Sequence, residues 1–380
     1  MTEFDYYIQQ GEPSQREKAE AWAIAIGLQD VDGLKPSQYL RDTAKRHIEG
    51  NISIKDAQRL VHSYYQSKTT RTADDDEQFE ADSVAAKITE LLESNTVGFT
   101  LQGYLAIHKH LFTGVYKFAG RIRDYNITKK EWVLRGDTVS YLNCMDIRPA
   151  IEYDLEQERA FSYKGLSQDE IIAHIARFTV GLWQIHAFGE GNTRTTAVFT
   201  ILYLRSIGFD IDNNLFADNS WYFRNALVRA NYKNATKGVD YDYHFLENFF
   251  RNLLLGEHNE LKNRYMLINP PAELQPTPSS TPSSTPLSTP SSSENILALL
   301  SEPVLRLVKA IGEQQVSKRE LMQMLGLKDR ANFEDYSLTP AIRDGYVHLL
   351  YPHSPKHPRQ KYLLTVKGLM IYQTLQQNKL

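Results

Sequence analysis

The sequence predicts a mainly α-helical protein built from more than one folding unit. Apolar residues recur at helical spacing over residues 171–183 and again over 195–207, on either side of a short polar loop. A Ser/Thr/Pro tract around residue 280 has almost no apolar residue, so it cannot bury a core and indicates a linker. The segment after this tract shows a different order of signals, three helices and then a β-hairpin.

The composition is typical of a soluble intracellular protein. The chain has 380 residues, 42% of them hydrophobic, which is enough for two or three domains with apolar cores. Cys144 is the single cysteine, which excludes an intrachain disulfide and a cysteine-rich zinc site. The first residues lack the basic region and apolar run of a secretory signal, and no segment has the length of a membrane helix. We expect a cytoplasmic location and no membrane partner.

The N-terminal segment, residues 1–88, is predicted to be helical. An apolar helix ends at Gly33, Ser37 can cap a second helix that closes at Gly50, and Ser53 opens a third.

The most informative segment is residues 185–194, Ile-His-Ala-Phe-Gly-Glu-Gly-Asn-Thr-Arg. It connects two predicted helices, and Gly189 and Gly191 allow the backbone to approach a ligand closely. The free amides at the start of the second helix form a ready site for an anion.

Three side chains of this loop suit nucleotide chemistry. An imidazole, as at His186, ordinarily titrates near neutrality and can remove a proton from a hydroxyl. Glu190 beside phosphates suits Mg²⁺, and Arg194 matches phosphate oxygens with two donors. The alternative is a plain helical hairpin in which His186 caps a helix and Arg194 is solvated.

The segment resembles the signature of the Fic family, His-Pro-Phe-x-[Asp/Glu]-Gly-Asn-Gly-Arg-x-x-Arg. The matching residues are His186, Phe188, Glu190, Gly191, Asn192 and Arg194. The resemblance implies a helical Fido core over residues 89–268 that transfers a nucleotidyl group, usually AMP from ATP, to a protein hydroxyl. In that arrangement His186 is the general base and Glu190 holds Mg²⁺. The residues then expected around the nucleotide are Phe188, Gly189, Gly191, Asn192, Thr193 and Arg194.

Three positions depart from the signature. Ala187 replaces proline, and Thr193 replaces glycine, which raises the question of whether this backbone position tolerates a Cβ. Ala197 stands where the family has its second arginine, which grips the γ-phosphate and is the target of the family's inhibitory glutamate.

The resemblance extends to two neighbouring segments. Residues 125–134 predict a short hairpin, which in Fic proteins is a flap that aligns the target by strand addition; the alternative is a surface hairpin without a partner. Residues 221–231 are similar to the family helix that lines the adenine pocket, so Tyr222 and Asn231 are candidate base contacts, although such aromatics also suit a core.

The predicted linker, residues 269–293, separates regions of opposite charge. Residues 295–380 carry 12 Lys and Arg against 7 Asp and Glu, whereas the net charge of the whole chain is −3.

The C-terminal unit, residues 294–380, resembles the winged-helix tail of many Fic proteins. Ser317 and Glu320 form a capping box at its second helix. Four residues make the wing basic, His353, Lys356, His357 and Arg359. We expect this unit to contact either DNA phosphates or another protein.

The N-terminal segment resembles the small antitoxin domain that pairs with some Fic toxins. Its inhibitory glutamate would correspond to Asp32 or, in a second placement, to Glu49. Because Ala197 offers no cation, we expect substitution of either acid to change activity little, unless Arg194, Arg224 or Arg229 replaces the missing arginine. A helical cover without inhibitory function is the alternative.

The sequence therefore predicts Mg²⁺-dependent transfer of AMP from ATP to a protein hydroxyl. Two alternatives stay open. One is another nucleotide or phosphate chemistry on the same fold, including removal of AMP, which Ala197 favours. The other is a DNA-binding regulator whose Fido core is not catalytic.

Overall fold

A computed structural model describes residues 3–70, 72–94, 98–211, 214–269 and 300–377. Over these residues the chain is mainly helical with one two-stranded antiparallel sheet, which confirms the predicted fold class. None of the described helices combines the length and apolarity needed to cross a membrane. Apart from Asn269, the predicted linker lies outside the described residues.

The N-terminal segment folds as a helical layer. Its helices are Asp5–Gln10 (α1), Pro13–Gly27 (α2), Gln38–Ile48 (α3), Ile54–Gln66 (α4) and Ala73–Ser94 (α5). Ser37 and Ser53 cap α3 and α4 as their positions predicted. A 3₁₀ turn, Leu28–Asp32, continues α2 and ends at Gly33, whose φ is 72°. Because α5 runs without a break through residue 88, the predicted domain boundary does not fall between two elements.

The central region places the polar loop at its middle. Its helices are Leu101–Phe112 (α6), Ile147–Ala160 (α7), Gln168–Ile185 (α8), Asn192–Ser206 (α9), Leu215–Asp218 (α10), Ser220–Ala230 (α11) and His244–Leu255 (α12). Short 3₁₀ turns occur at Cys144–Asp146, Ala235–Lys237 and Asn263–Met266. Every residue of α9 from 192 to 204 is buried, and α9 contacts α5, α6, α8 and the turn Leu28–Asp32. The N-terminal layer therefore packs directly on the helix that ends the loop.

The C-terminal unit has the predicted order of three helices and a hairpin. The helical segments are Glu302–Ile311, Lys318–Met324 and Arg330–Phe333, the last continued by a π turn, Glu334–Leu338, and by Thr339–Arg343. Strands Val347–Leu349 and Tyr362–Leu364 pair antiparallel, with Val347 opposite Leu364. A further helix, Val366–Gln377, was not predicted. Its buried residues include Leu369, Met370 and Ile371.

The C-terminal unit is seated on the central region rather than detached from it. The amide of Val366 donates to the carbonyl of Ile207 over 3.1 Å. A Cβ on Gly208 would lie 2.3 Å from the carbonyl oxygen of Gly345, so the two backbones touch. The buried apolar residues form one continuous cluster that extends from Phe4 to Leu375. The linker therefore joins two units that share a core.

Candidate functional site

The polar loop between α8 and α9 has a fixed backbone. His186 ends α8 with a φ of 49°, and Gly191 begins α9 with a φ of 77°. A Cβ on Gly191 would lie 2.3 Å from the Cζ atom of Phe112, so this position requires glycine for both its φ and its packing.

Asn192 closes the loop with its side chain. Its Oδ1 accepts from the amide of Phe188 over 2.9 Å, and its Nδ2 donates to the carbonyl of Phe188 over 2.7 Å. Asn192 is buried, so this pair of hydrogen bonds holds the loop in one shape. Its role at the phosphates stays a prediction.

His108 supports the loop from α6. Its ring stacks on the buried ring of Phe188, with centroids 3.7 Å apart. The amide of Gly120 donates to Nδ1 over 2.8 Å, which places the hydrogen of the neutral ring on Nε2, and Nε2 donates to the carbonyl of Glu190 over 3.0 Å. Burial lowers the pKa of His108 to about 4, so the ring stays neutral. Sequence reasoning assigned no role to this histidine.

The structure accommodates the Cβ of Thr193, the residue that replaces a glycine of the signature. It lies in the first turn of α9 and is not among the described residues with positive φ. The indole of Trp183 donates to its hydroxyl oxygen over 3.0 Å. The threonine is therefore accommodated, and it ties the start of α9 to the end of α8.

His186 presents one nitrogen without a partner. Nδ1 lies 3.3 Å from the carbonyl of Trp183, which only accepts, so the hydrogen of the neutral ring is on Nδ1. Nε2 is buried and has no hydrogen-bond partner among the described residues. Burial, followed by the charge of Lys129, holds the pKa of His186 well below 6.5. The lone pair on Nε2 is therefore available as a base at neutral pH.

Tyr141 packs on this imidazole, and Arg123 binds the backbone of the same residue. The ring of Tyr141 lies 4.1 Å from that of His186, and its hydroxyl donates to Oε1 of Glu131 over 3.0 Å. The other oxygen of Glu131 is 2.8 Å from Nη1 of Arg224. Arg123 donates from Nε to the carbonyl of His186 over 2.7 Å. No sequence spacing indicated this set of contacts, because the four residues come from separate segments.

The flap segment is less regular than the hairpin predicted at residues 125–134. Residues 126–131 have no assigned helix, strand or turn, and a turn follows at 132–136. The amide of Glu131 donates to the carbonyl of Asp137 over 2.8 Å across this turn, and Oδ1 of Asn126 accepts from the amide of Cys144 over 2.9 Å. Individual hydrogen bonds of this kind, instead of a ladder of hydrogen bonds between two strands, hold the flap segment. Docking of a target on it stays a prediction.

Glu190 projects an exposed carboxylate from the loop. Its Oε2 lies 2.8 Å from Nζ of Lys129, with side-chain exposures of 51% and 29%. The described residues contain no cluster of three or more His, Cys, Asp or Glu side chains that could hold a metal. Mg²⁺ is commonly bound by one or two carboxylates together with substrate phosphates. A single exposed carboxylate is compatible with this mode of binding, and Mg²⁺ at Glu190 stays a prediction.

Arg194 is the most heavily paired residue of the loop. Its Nε is 2.7 Å from Oδ2 of Asp32, Nη2 donates to Oε1 of Glu80 over 2.6 Å, and Nη1 donates to Oε1 of Gln29 over 3.0 Å. The guanidinium also lies 4.9 Å from the ring centre of Phe112, and the side chain is only 1% exposed. These three partners come from the N-terminal segment, and Nη2 also donates to the hydroxyl of Tyr116 over 3.4 Å.

Asp32 thus has an arginine partner, although not the one that the signature would supply. Ala197 is fully buried in α9, and Asp32 reaches Arg194 instead. Glu49, the second candidate, accepts from the hydroxyl of Tyr7 over 2.6 Å. The other two cations considered are engaged elsewhere, Arg224 with Glu131 and Arg229 with the carbonyl of Asp240.

The two candidate base contacts lie on and after α11. Tyr222 is buried, and its hydroxyl donates to the carbonyl of Phe245 over 3.2 Å. Nδ2 of Asn231 donates to the carbonyls of Val180 and Leu227. These contacts fit a packing role, and contact with a base stays a prediction for both residues.

Comparison with known proteins matches two parts of the chain. Residues 98–204 match the Fic/DOC family, and residues 302–365 match the C-terminal domain of Fic-like proteins, where Fic stands for filamentation induced by cAMP. The resemblance of the N-terminal segment to an antitoxin stays a prediction.

Two individual proteins are similar to this chain. The protein adenylyltransferase VbhT of Bartonella schoenbuchensis is 31% identical over 114 residues, which make up 30% of this chain and 23% of that protein. The similarity thus spans less than a quarter of that relative. A Fic family protein from Desulfovibrio desulfuricans G20 of known crystal structure has 17% identity and a TM-score of 0.39, over 95% of this chain and 90% of that one.

Proposed function

We propose, from the premise that this chain is a Fic-family protein with a Fic-like C-terminal domain, that it transfers AMP from ATP to a hydroxyl group of a protein. The observation that carries the proposal is His186, a neutral imidazole whose Nε2 has no partner among the described residues. It ends α8 beside the carboxylate of Glu190 and the N-terminus of α9, so a base, a metal ligand and an anion site meet within one loop.

The chemistry assigned to the loop follows from these groups. The hydroxyl oxygen of the target attacks the α-phosphorus, its proton passes to Nε2 of His186, and the bond from the α-phosphorus to the bridging oxygen breaks as pyrophosphate leaves. Glu190 would hold Mg²⁺, which neutralises phosphate charge. The amides at the start of α9 and the guanidinium of Arg194 would orient the phosphates.

Regulation by the N-terminal segment is part of the proposal. A guanidinium that Asp32, Glu80 and Gln29 already occupy has few donors left for phosphate. We expect the nucleotide to bind well only when these contacts are released.

Self-labelling with α-³²P-ATP tests the proposal, with CTP, GTP and UTP in parallel because Ala197 leaves the nucleotide open. His186→Ala should lower labelling by about 100-fold or more, as expected for loss of a general base, with little change in melting temperature. His353→Ala, an exposed histidine of the wing, is the matched control. Labelling of the His186 variant at the parent rate would refute the mechanism.

A DNA-binding regulator is the second candidate, favoured by one surface. Lys318, Arg319, Arg330, Lys356 and His357 line a groove of about 890 Å³ between the helices and the wing of the C-terminal unit. Glu334 pairs with Lys318 and with Arg330, which reduces the positive charge there. Duplex binding that weakens steeply with added salt, in a chain that labels no protein, would favour this candidate over transfer.

A further inference from the structure

We propose that Lys129 is a phosphate-binding residue of the nucleotide site, and that its contact with Glu190 belongs to the metal-free protein. This inference rests on the proposed function, since it assigns a partner to the phosphates of the nucleotide.

Lys129 pairs with the proposed metal ligand, and its charge also affects the proposed base. Its Nζ is 2.8 Å from Oε2 of Glu190. Among the charged groups that lower the pKa of His186, Lys129 has the largest effect. One ammonium group on the flap segment therefore affects two of the side chains assigned to the reaction.

The contact with Glu190 is easily exchanged. Both side chains are partly exposed, and solvent screens an ion pair of this kind, so the pair contributes little to stability. An ammonium and a divalent cation compete for the same carboxylate oxygen. Mg²⁺ that arrives with phosphates would therefore displace Nζ, which remains nearby on its flexible four-carbon stem.

The phosphates need a cation that the loop itself does not supply in full. Mg²⁺ neutralises only part of the charge of a triphosphate, Arg194 supplies one guanidinium, and position 197 is a buried alanine. Arg224 is paired with Glu131, and Arg123 donates to backbone carbonyls. Lys129 is a nearby cation that is now paired with Glu190. Mg²⁺ would bind Glu190 and so release Lys129.

Nucleotide binding by the full chain tests this role without turnover. Affinities are measured calorimetrically, with Mg²⁺, for an ATP analogue that has a methylene group between the α- and β-phosphates, and for adenosine. Since Asp32 pairs with the guanidinium of Arg194, which is then less available to phosphate, the same series is run in an Asp32→Asn background. Lys129→Ala is compared with Lys129→Arg, which keeps the charge, and with Lys130→Ala, an exposed neighbour on the same flap segment.

We expect Lys129→Ala to weaken binding of the analogue about tenfold, a loss of roughly 1.4 kcal/mol. Adenosine affinity should stay constant, and Lys129→Arg and Lys130→Ala should bind the analogue like the parent. Unchanged affinity in Lys129→Ala overturns the inference, and so does an equal loss for adenosine, which would mean that the lysine shapes the pocket. If the parent binds no analogue in either background, the proposed function itself fails.

Discussion

The two ends of the polar loop differ in whether their buried side chains have polar partners. At one end, His186 is buried, neutral and without a partner at Nε2 among the described residues. At the other end, eight residues later, Arg194 is equally buried, but Asp32, Glu80 and Gln29 contact its three guanidinium nitrogens.

This difference separates two requirements of the same reaction. A base must be uncommitted before the substrate arrives, and burial achieves this by keeping the imidazole neutral. A phosphate-binding arginine that is buried needs counter-charges, because an unpaired buried charge costs several kcal/mol. In this structure the counter-charges come from the N-terminal segment, so under the proposed function the release of Arg194 for phosphate would depend on that segment.

The largest effect is expected from removal of these counter-charges. The double variant Asp32→Asn with Glu80→Gln keeps the shapes and hydrogen-bond acceptors but lowers the competition for the guanidinium. We expect initial labelling rates to rise at least tenfold, in line with a coupling of roughly 1–3 kcal/mol between two sites. The melting temperature should fall, because Arg194 loses its ion pairs, and ATP should restore part of that loss.

Glu49→Gln is the matched control, because Glu49 contacts Tyr7 and not the loop. Its rate should stay within about threefold of the parent, under about 0.7 kcal/mol by the tenfold-per-1.4 rule. Asp32→Asn alone keeps Glu80 on Arg194 and should give a smaller increase. If both the single and the double variant are folded and as slow as the parent, the contacts with Arg194 are structural.

A severalfold effect is expected at the acid between the two ends. Glu190→Gln keeps the size of the side chain but removes the charge that Mg²⁺ would need, so the Mg²⁺ concentration at half-maximal labelling should rise and the maximal rate should fall. The measurement is a Mg²⁺ titration of initial rates at saturating ATP. Identical titrations for parent and variant would remove Glu190 from the metal site.

A smaller effect is expected from pH. A histidine with its usual pKa near 6.5 would be half protonated at pH 6.5, whereas burial holds the pKa of His186 well below that value. The base then stays neutral from pH 8 down to pH 6.5, and labelling should decline only as pH falls further. We expect less than about a threefold change in initial rate between pH 6.5 and 8. A midpoint at or above pH 6.5 would show that the imidazole is more solvated than in this structure.

The sequence predicted the features that depend on local order. The helices on both sides of the loop, the caps at Ser37, Ser53 and Ser317, and the strands of the C-terminal hairpin follow from periodicity and capping chemistry. The two family matches cover the loop signature and the C-terminal unit.

Contacts between distant segments were beyond sequence reasoning. The partner of Arg194 at residue 80 lies on α5, the partner of Glu190 lies on the flap, and His108 orients the loop from α6. None of these pairs shares a repeat or a spacing with its partner, since packing alone brings them together. The flap shows the same limit of sequence reasoning. Its β-branched and aromatic residues predicted strands, but the structure holds the segment by individual contacts instead.

The smallest effect is expected at the bond that ties the two sides of the loop together. Thr193→Val keeps the shape of the side chain but removes the acceptor for the indole of Trp183, which would leave a buried donor without a partner. Such a loss costs about 1–3 kcal/mol of unfolding free energy, whereas Thr193→Ser keeps the hydroxyl and should cost less.

Labelling should change less than about twofold in both variants, because Gly191 and Asn192 set the shape of the loop and the backbone amide of residue 193 is retained. Denaturant unfolding and initial rates measured on the same samples separate these effects. A large loss of labelling in Thr193→Val without loss of stability would mean that the hydroxyl serves the nucleotide and not the loop.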